Sequence, residues 1–343
     1  MPPRRQQQQQ SQPQRAQRKY EPPAKRRMEL VASVSRSSGL EKDGDALRDF
    51  KLQEEYRDFI QGKVDDCWKR YPSGRVPEDA KHRDEMRGNI CILFRKLREA
   101  ILATKRSDTF AVEVCETSMY SAILFSSPKD ATSAISLLIP GLYKSQSRPP
   151  PTCPAAVTAS LLYYLLVAYP SQSRYGEHLD YVPKGLIPDG IRQWLRDLTR
   201  ALRQHSYSRL ERLTERGAVE TALGSASARP ANEPKPGAPS DLALEALCGL
   251  LDSIRSRARD TTWTILRSAY RELSCPKPTD APASTFTRDW LLRCLLLRRV
   301  APNDDKKSDE QLLDDWLTER VSRAELRPKD GAEGRWIVCK LKT

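Results

Sequence analysis

The stretch AAVTASLLYYLLVA, residues 155–168, decides the fold class. It overlaps the longest apolar run of the chain, Leu161–Tyr169, and it is apolar on every side of a helix. A helix of that kind must be surrounded by other elements, so we expect it at the centre of the fold. The run is far shorter than the ~20 residues that span a membrane, so we expect no membrane partner.

On both sides of this stretch, apolar residues recur every three or four positions, which is typical of amphipathic helices. Residues 170–187 lack that period and are predicted to be a loop. One segment near the end, 335–341, alternates polar and apolar residues and predicts a strand. Further helices are predicted at residues 45–71, 84–105, 109–125, from 128 onward, and at 188–203, 205–216, 241–255, 260–273, 285–299 and 308–320.

The expected fold is therefore mainly α, built of stacked antiparallel helix pairs and ending in a small winged-helix-like unit. We divide the chain into a helical-repeat region at 41–216, a mobile Ala/Pro/Ser/Gly-rich linker at 217–240 and a C-terminal region at 241–343. Residues 1–40 precede these regions as a disordered tail.

The tail is basic and rich in Gln and Pro, with a polyglutamine run at Gln6–Gln10. Residues 1–30 hold eight basic and two acidic side chains, so +6 of the net charge of +13 lies there. Short basic clusters in an extended segment suit a nuclear-import receptor, and a merely solubilising tail is the alternative. The candidate import residues are Arg18, Lys19, Lys25, Arg26 and Arg27.

Several classes of function find no support in the residues. No apolar segment at the N-terminus marks a secretory signal, so the eight Cys are expected to be reduced thiols of an intracellular protein. Metal-binding Cys spacings, catalytic motifs and phosphate loops are missing, and Gly numbers only 15. We therefore predict no catalytic residue, metal, cofactor or small-molecule substrate. An unrecognised enzyme stays an alternative; its sign would be a pocket that gathers His82, His178 or His205.

Basic residues of the C-terminal region are the candidate nucleic-acid contacts, because a winged helix presents one helix and its wing to phosphates. Interleaved acidic residues leave a solvated surface as the alternative. Trp336 is included as a stacking side chain on the terminal strand, whereas the other tryptophans are expected in the core. The candidates are Arg255, Arg257, Arg259, Arg267, Arg271, Arg298, Arg299, Arg335, Trp336, Lys340 and Lys342.

Glu116 lies among Val112, Val114 and Met119 on a helix that must be largely buried. An internal carboxylate needs a partner, and Arg98 on the preceding helix is the nearest candidate. We predict a structural ion pair between Arg98 and Glu116 rather than a catalytic carboxylate.

The block 97–143 contains LREAIL at 97–102, FAVEVCET at 110–117 and IPGLY at 139–143. It resembles the Sac-three/GANP family of PCI-type helical scaffolds, whose pattern is an Arg-acid-Leu turn, then Phe-x-Val-x-Val-Tyr-Glu-Thr, then a helix ending in Leu-Tyr. Cys115 stands where that pattern has Tyr, and the family's His-Ala-Arg is Ser-Met-Tyr here. Two later stretches, 202–210 and 257–271, resemble further family segments in the same order.

The resemblance, over roughly residues 45–343, implies a PCI-like helical repeat with a winged helix. It implies a non-enzymatic scaffold subunit of a nuclear complex that acts in messenger-RNA processing or export. The implied partners are a PCI-containing subunit, a small acidic protein and RNA, and the compartment is the nucleus, with the cytoplasm as a second. A proteasome-lid, signalosome or translation-initiation subunit and a centrosome- or spindle-associated protein are the alternatives within that superfamily.

Overall fold

The chain is mainly helical in a computed structural model, as predicted. The structure describes residues 28–29, 31–34, 46–72, 79–224, 241–276, 283–301 and 307–340. Its helices are α1 Phe50–Arg70, α2 Ala80–Ala103, α3 Thr109–Leu124, α4 Pro128–Ser136, α5 Cys153–Val167, α6 Ser173–Tyr181, α7 Asp189–Arg203, α8 Tyr207–Leu213, α9 Arg216–Leu223, α10 Leu242–Ala269, α11 Ala283–Cys294 and α12 Asp309–Ser322. The strands are β1 Glu272–Ser274, β2 Leu326–Pro328 and β3 Arg335–Val338. Short helical turns at Ala46–Arg48 and Tyr143–Ser145 and a π-helical stretch at Leu137–Leu142 complete the elements.

Side-chain caps set several helix starts at the positions that the sequence indicates. The carboxylate of Asp108 accepts a hydrogen bond from the backbone N–H of Ala111 at 3.0 Å, and Asp241 accepts from Leu244 at 3.0 Å. Ser308 begins α12 with a capping box. Each cap satisfies an N–H group that has no partner within its own helix, which typically stabilises the helix by ~1 kcal/mol.

α5, the helix of residues 155–168, is largely buried as predicted. α10 packs across both α5 and α3, and α3 packs against α2 and α4. The few polar side chains inside α5 are satisfied locally: the Thr158 hydroxyl donates to the carbonyl of Pro154 at 2.7 Å, and Ser160 donates to Val157 at 2.7 Å. α5 is thus buried over most of its length, whereas Val167 at its C-terminal end is 55% exposed.

α10 contributes side chains to two hydrophobic cores. Ile254 and Ala258 belong to the large core of the helical region. Trp263 and Leu266, further along the same helix, belong to a second core formed with α11, α12 and the sheet. We call residues 263–340, as far as they are described, the C-terminal unit. Packing therefore continues from the helical region into the C-terminal unit through one helix.

The sheet of the C-terminal unit is antiparallel, with the strand order β1-β3-β2. Leu273 of β1 lies opposite Trp336 of β3, and Arg327 of β2 lies opposite Ile337. The chain order is thus helix α10, strand, two helices, and two strands. β1 and β2 were not predicted, because strands of three residues are too short to show an alternating pattern.

Three predictions about helices were wrong. The segment predicted as a loop at 170–187 contains α6, whose Tyr175 and His178 are buried. The two helices predicted at 241–255 and 260–273 are the single helix α10, because no Gly or Pro interrupts residues 255–260. The predicted linker begins with α9, which ends at Gly224 with a φ of +56°, and residues 225–240 lie outside the described part of the chain.

Gly334 is required where the loop before β3 passes β1. Its φ is +74°, and a Cβ there would lie 2.4 Å from the Cα of Pro276. Its carbonyl also accepts a hydrogen bond from the N–H of Cys275 at 2.7 Å. Gly331 has a similar φ of +70° but has open space around it.

Gly334→Ala should therefore destabilise the protein more than Gly331→Ala, because only the first adds a backbone clash to the conformational strain. We expect Gly331→Ala to cost about 1 kcal/mol and Gly334→Ala about 1–3 kcal/mol more. Urea unfolding of both variants measures the difference, and equal losses would refute the close contact.

Candidate interaction surface of the C-terminal unit

The predicted nucleic-acid residues divide into side chains that hold the fold together and side chains that face solvent. Arg255 is only 2% exposed. Its Nη1 donates to the Thr214 hydroxyl at 2.9 Å, while its Nε and Nη2 have no hydrogen-bond partner among the described residues. Burial lowers the pKa of its guanidinium. The prediction for Arg255 was wrong because this position faces the core side of α10.

Arg259 and Arg267 bind backbone carbonyls of other elements. Arg259 donates to Leu295 and Leu296 at 2.7 Å each, which satisfies carbonyls at the C-terminal end of α11. Arg267 donates to the carbonyl of Cys339 at 3.0 Å and to the carboxylate of Glu325 at 3.2 Å. Both guanidiniums thus attach the C-terminal unit to α10.

Arg298 joins three elements through two ion pairs. Its guanidinium lies 2.8 Å from the carboxylate of Glu211 on α8 and 2.6 Å from Asp309 at the start of α12. The hydrogen bonds to Asp309, with the negative charges of both carboxylates, raise its pKa. Four of the ten charged candidates, Arg255, Arg259, Arg267 and Arg298, are thus engaged within the fold.

The remaining candidates with described side chains are exposed: Arg257, Arg271, Arg299, Arg335 and Lys340. Arg335 lies 3.5 Å from the carboxylate of Glu272, across the strand pair. Lys342 and the import candidates Arg18, Lys19, Lys25, Arg26 and Arg27 lie outside the described residues.

Trp336 is half-buried against the second core instead of standing free on the terminal strand. Its indole Nε1 is buried without a hydrogen-bond partner among the described residues. β3 is the central strand of the sheet and not its edge. Stacking of the half-buried Trp336 ring on bases stays a prediction. Trp194, Trp263 and Trp316 are buried, as predicted, whereas Trp290, also expected in the core, is half-buried against the second core.

Exposed aromatic side chains of the C-terminal unit lie on α11 and at the end of α10. Phe286 is 76% exposed and Tyr270 is 46% exposed. Trp290 lies one helical turn after Phe286, and its ring centroid is 6.1 Å from that of Tyr270 in an edge-to-face arrangement. We call Tyr270, Phe286 and Trp290 the aromatic patch. In the sequence, the spacing Phe-x-x-x-Trp indicates that the two rings share one face of a helix. The sequence does not indicate whether neighbouring elements cover that face.

The buried polar network near Arg98 differs from the predicted one. Arg98 is 3% exposed, and its Nη2 lies 3.2 Å from the carboxylate of Asp130. Glu116 is 1% exposed and accepts hydrogen bonds from the hydroxyls of Tyr143 at 2.8 Å and Thr152 at 3.0 Å. The ion pair drawn between Arg98 and Glu116 is thus corrected to one between Arg98 and Asp130, since α4 brings Asp130 against α2.

Asp130 also accepts two hydrogen bonds from Arg95, at 3.0 Å each, and one from Ser127 at 2.7 Å. Burial raises the pKa of its carboxyl, but the hydrogen bonds from Arg95 and Ser127 and the two positive charges outweigh burial. The pKa therefore lies below its usual value of 3.8. A lowered pKa in the folded state means that this stabilisation is present above pH 3.8 and is lost as the pH falls through the folded-state pKa.

Asp130→Asn should reduce the free energy of unfolding at neutral pH by about 3–5 kcal/mol, because it leaves the buried charge of Arg98 unpaired. It should also reduce the dependence of that free energy on pH below 3.8. The matched control is Asp315→Asn, which removes an exposed pair with Lys307 and should cost less than about 1 kcal/mol. Equal losses at neutral pH would show that Asp130 carries no special stabilisation.

A cleft of about 540 Å³ lies between α10 and the segment after α11. Arg259, Arg298 and Arg299 line it together with Asp252. The Asp252 carboxylate accepts hydrogen bonds from the backbone N–H groups of Val300 at 2.7 Å and Ala301 at 3.1 Å. These two hydrogen bonds give the Asp252 carboxylate a structural role, because they hold the segment after α11 against α10.

The three histidines lie apart. His82 packs near Tyr71, and His205 lies beside Tyr207. His178 is buried with its Nε2 3.0 Å from the Ser160 hydroxyl, and burial lowers its pKa to about 4. None of them appears among the described residues that line the cleft. In the described part of the chain, neither a group of side chains able to hold a metal ion nor a helix able to cross a membrane occurs.

Comparison with family models, with curated proteins and with solved structures found no match to this chain.

The two groups of arginines should respond differently to substitution. Arg267→Ala should lower the free energy of unfolding by about 1–3 kcal/mol, because Glu325 and the carbonyl of Cys339 lose a charged donor. Arg257→Ala should change it by less than about 0.5 kcal/mol, since this side chain is exposed on the same helix. Chemical unfolding of both variants tests the division, which equal effects would contradict.

Proposed function

We propose that this protein is a non-enzymatic scaffold subunit whose C-terminal unit binds a partner protein. The observation that carries the proposal is the aromatic patch, where Phe286 is 76% exposed one helical turn before Trp290, whose ring contacts that of Tyr270. Exposed aromatic side chains on a helix face are the usual anchors of a protein interface. Four of the eight arginines that would compete for this role as phosphate contacts, Arg255, Arg259, Arg267 and Arg298, are engaged inside the fold.

The element order of the C-terminal unit supports its interpretation as a winged helix. A helix, a strand, two helices and two antiparallel strands follow one another, and the last strand lies in the middle of the sheet. The continuation of α10 from the helical region into this unit supports a PCI-like arrangement. The resemblance at 97–143 then suggests the partner, a second PCI-containing subunit, together with a small acidic protein.

The same resemblance suggests the setting, a nuclear complex that processes or exports messenger RNA. The basic clusters in the tail, at 18–19 and 25–27, support nuclear import, with the cytoplasm as a second compartment. Contact of the C-terminal unit with RNA is supported by fewer residues than the sequence suggests. The exposed candidates are Arg257, Arg271, Arg299, Arg335 and Lys340.

Affinity purification of the tagged full-length chain, followed by mass spectrometry, tests the proposal. Recovery of messenger-RNA export or splicing factors is the expected outcome. Recovery of proteasome-lid, signalosome or translation-initiation subunits would overturn the assigned pathway, and recovery of spindle components would favour the centrosomal alternative.

Phe286→Asp should reduce the recovery of the partner at least tenfold, because a charge in the aromatic patch cannot be desolvated against an apolar surface. The melting temperature should stay within about 2 °C of the unmodified protein, since this side chain is exposed. Leu102→Asp is the matched control, because Leu102 is 64% exposed on α2. Undiminished recovery with Phe286→Asp would remove the patch from the proposal.

A further inference from the structure

α7 carries arginines in a row on one face of the helix. Arg192, Arg196, Arg200 and Arg203 follow one another at intervals of three or four residues, so their side chains lie within a narrow arc. With a rise of 1.5 Å per residue, the row extends about 17 Å along the axis. We call these four residues the arginine row. The opposite face holds Ile191, Leu195, Leu198 and other buried side chains.

The arginine row lies at the surface with its charges available. Arg196, Arg200 and Arg203 are exposed, and Arg192 is half-exposed. Among the described residues, no ion pair involves any of the four. α7 has only two acidic residues: Asp189 in its first turn, and Asp197, which pairs with Arg209 at 2.8 Å. Arg259, Arg267 and Arg298 are in the reverse situation, because internal carboxylates and carbonyls engage them.

The groups beside the row belong to the start of α6. Arg203 donates to the amide oxygen of Gln172 at 2.8 Å, and Gln172 in turn donates to the carbonyl of Thr199 at 2.9 Å. Burial raises the pKa of Tyr175, and the positive charges of Arg192, Arg203 and Arg196 oppose that shift. Three guanidiniums of the row thus lie near one tyrosine, so they form a single positive surface.

The surface suits a phosphate backbone better than a protein. The large exposed apolar residues of the described chain are Phe50, Ile92, Leu102, Val167, Tyr181, Ile265, Tyr270 and Phe286, and none of them lies on α7. A protein interface would need such anchors at its centre. A row of exposed guanidiniums without apolar anchors instead matches phosphates, which arginine binds with two parallel hydrogen bonds.

We infer that the arginine row binds the phosphate backbone of a nucleic-acid strand. Its length of about 17 Å spans about five phosphates of one strand at the 3.4 Å spacing of a stacked double helix, and fewer phosphates of an extended single strand. Because the contacts are made to phosphates, binding should be nearly independent of base sequence and strongly dependent on salt. The row lies on a different element from the aromatic patch, so this inference does not depend on the proposed partner.

The test uses the full-length chain and its triple variant Arg192→Gln, Arg196→Gln, Arg200→Gln, which leaves the hydrogen bond of Arg203 intact. Fluorescence anisotropy measures binding to an oligouridylate and to an oligothymidylate of about 20 nucleotides each over a series of salt concentrations. Loss of three phosphate contacts should weaken binding about 10- to 100-fold at 0.1 M salt. It should also reduce the slope of log K against log salt by about 2.

Two controls separate this surface from general charge and from the C-terminal unit. The variant Lys51→Gln, Lys129→Gln, Lys144→Gln removes three exposed charges elsewhere and should leave affinity and slope nearly unchanged. The variant Arg271→Gln, Arg335→Gln, Lys340→Gln removes exposed charges of the C-terminal unit. If the lysine variant loses as much affinity as the α7 variant, or if only the variant of the C-terminal unit loses affinity, the assignment to α7 is wrong.

The binding measurements have further outcomes, and each one supports or overturns the inference. An unchanged affinity and slope in the α7 variant, with the unfolding curve intact, would overturn the inference. Stronger binding of polyglutamate than of either oligonucleotide would overturn it in favour of an acidic protein. Comparison of the two oligonucleotides distinguishes RNA from DNA as the source of the backbone. Loss of the partner in Phe286→Asp with retained oligonucleotide binding would support both proposals independently.

Discussion

The burial of one long helix in two hydrophobic cores is the constraint on which the rest of the structure depends. α10 packs its first half against α3 and α5 and its second half under the sheet of the C-terminal unit. Its apolar side chains therefore must face different neighbours at its two ends. The positions between them carry Arg255 and Arg259, whose guanidiniums reach Thr214 on one side and the end of α11 on the other. Charge in the middle of α10 thus joins the two cores.

The positive charge of the protein has different roles in different parts of the structure. A net charge of +13 favours nucleic acid as a partner in general, but the charge is not distributed as a uniform surface. At the C-terminal unit, Arg259, Arg267 and Arg298 hold elements together. On α7 the arginines face solvent without carboxylate partners among the described residues. The contrast suggests that protein binding and phosphate binding occupy separate parts of the molecule.

The sequence predicted most of the helices because their apolar periodicity is long. In the structure, Asp108, Asp241 and Ser308 cap three of these helices at their starts. It failed where the signal is short or ambiguous, as in β1 and β2, whose three residues show no period. It also failed at Arg255, since a helical pattern shows which residues share a face but not which face a neighbour covers. The partner of Arg98 was missed for a similar reason: Asp130 lies 32 positions away on a helix whose orientation no local pattern reveals.

The double burial of α10 also bears on how the protein opens. The middle of the helix lies against the large core on one side, and Arg259 binds the carbonyls at the end of α11 on the other. A local opening of the C-terminal unit alone would leave the first half of α10 in place. Amide hydrogen exchange at Ile254 and Ala258 would then report the rarest opening of the molecule, whereas exchange in β1 and β2 would report a more frequent one. Because α10 joins the two cores, we expect the C-terminal unit to open more often than the large core.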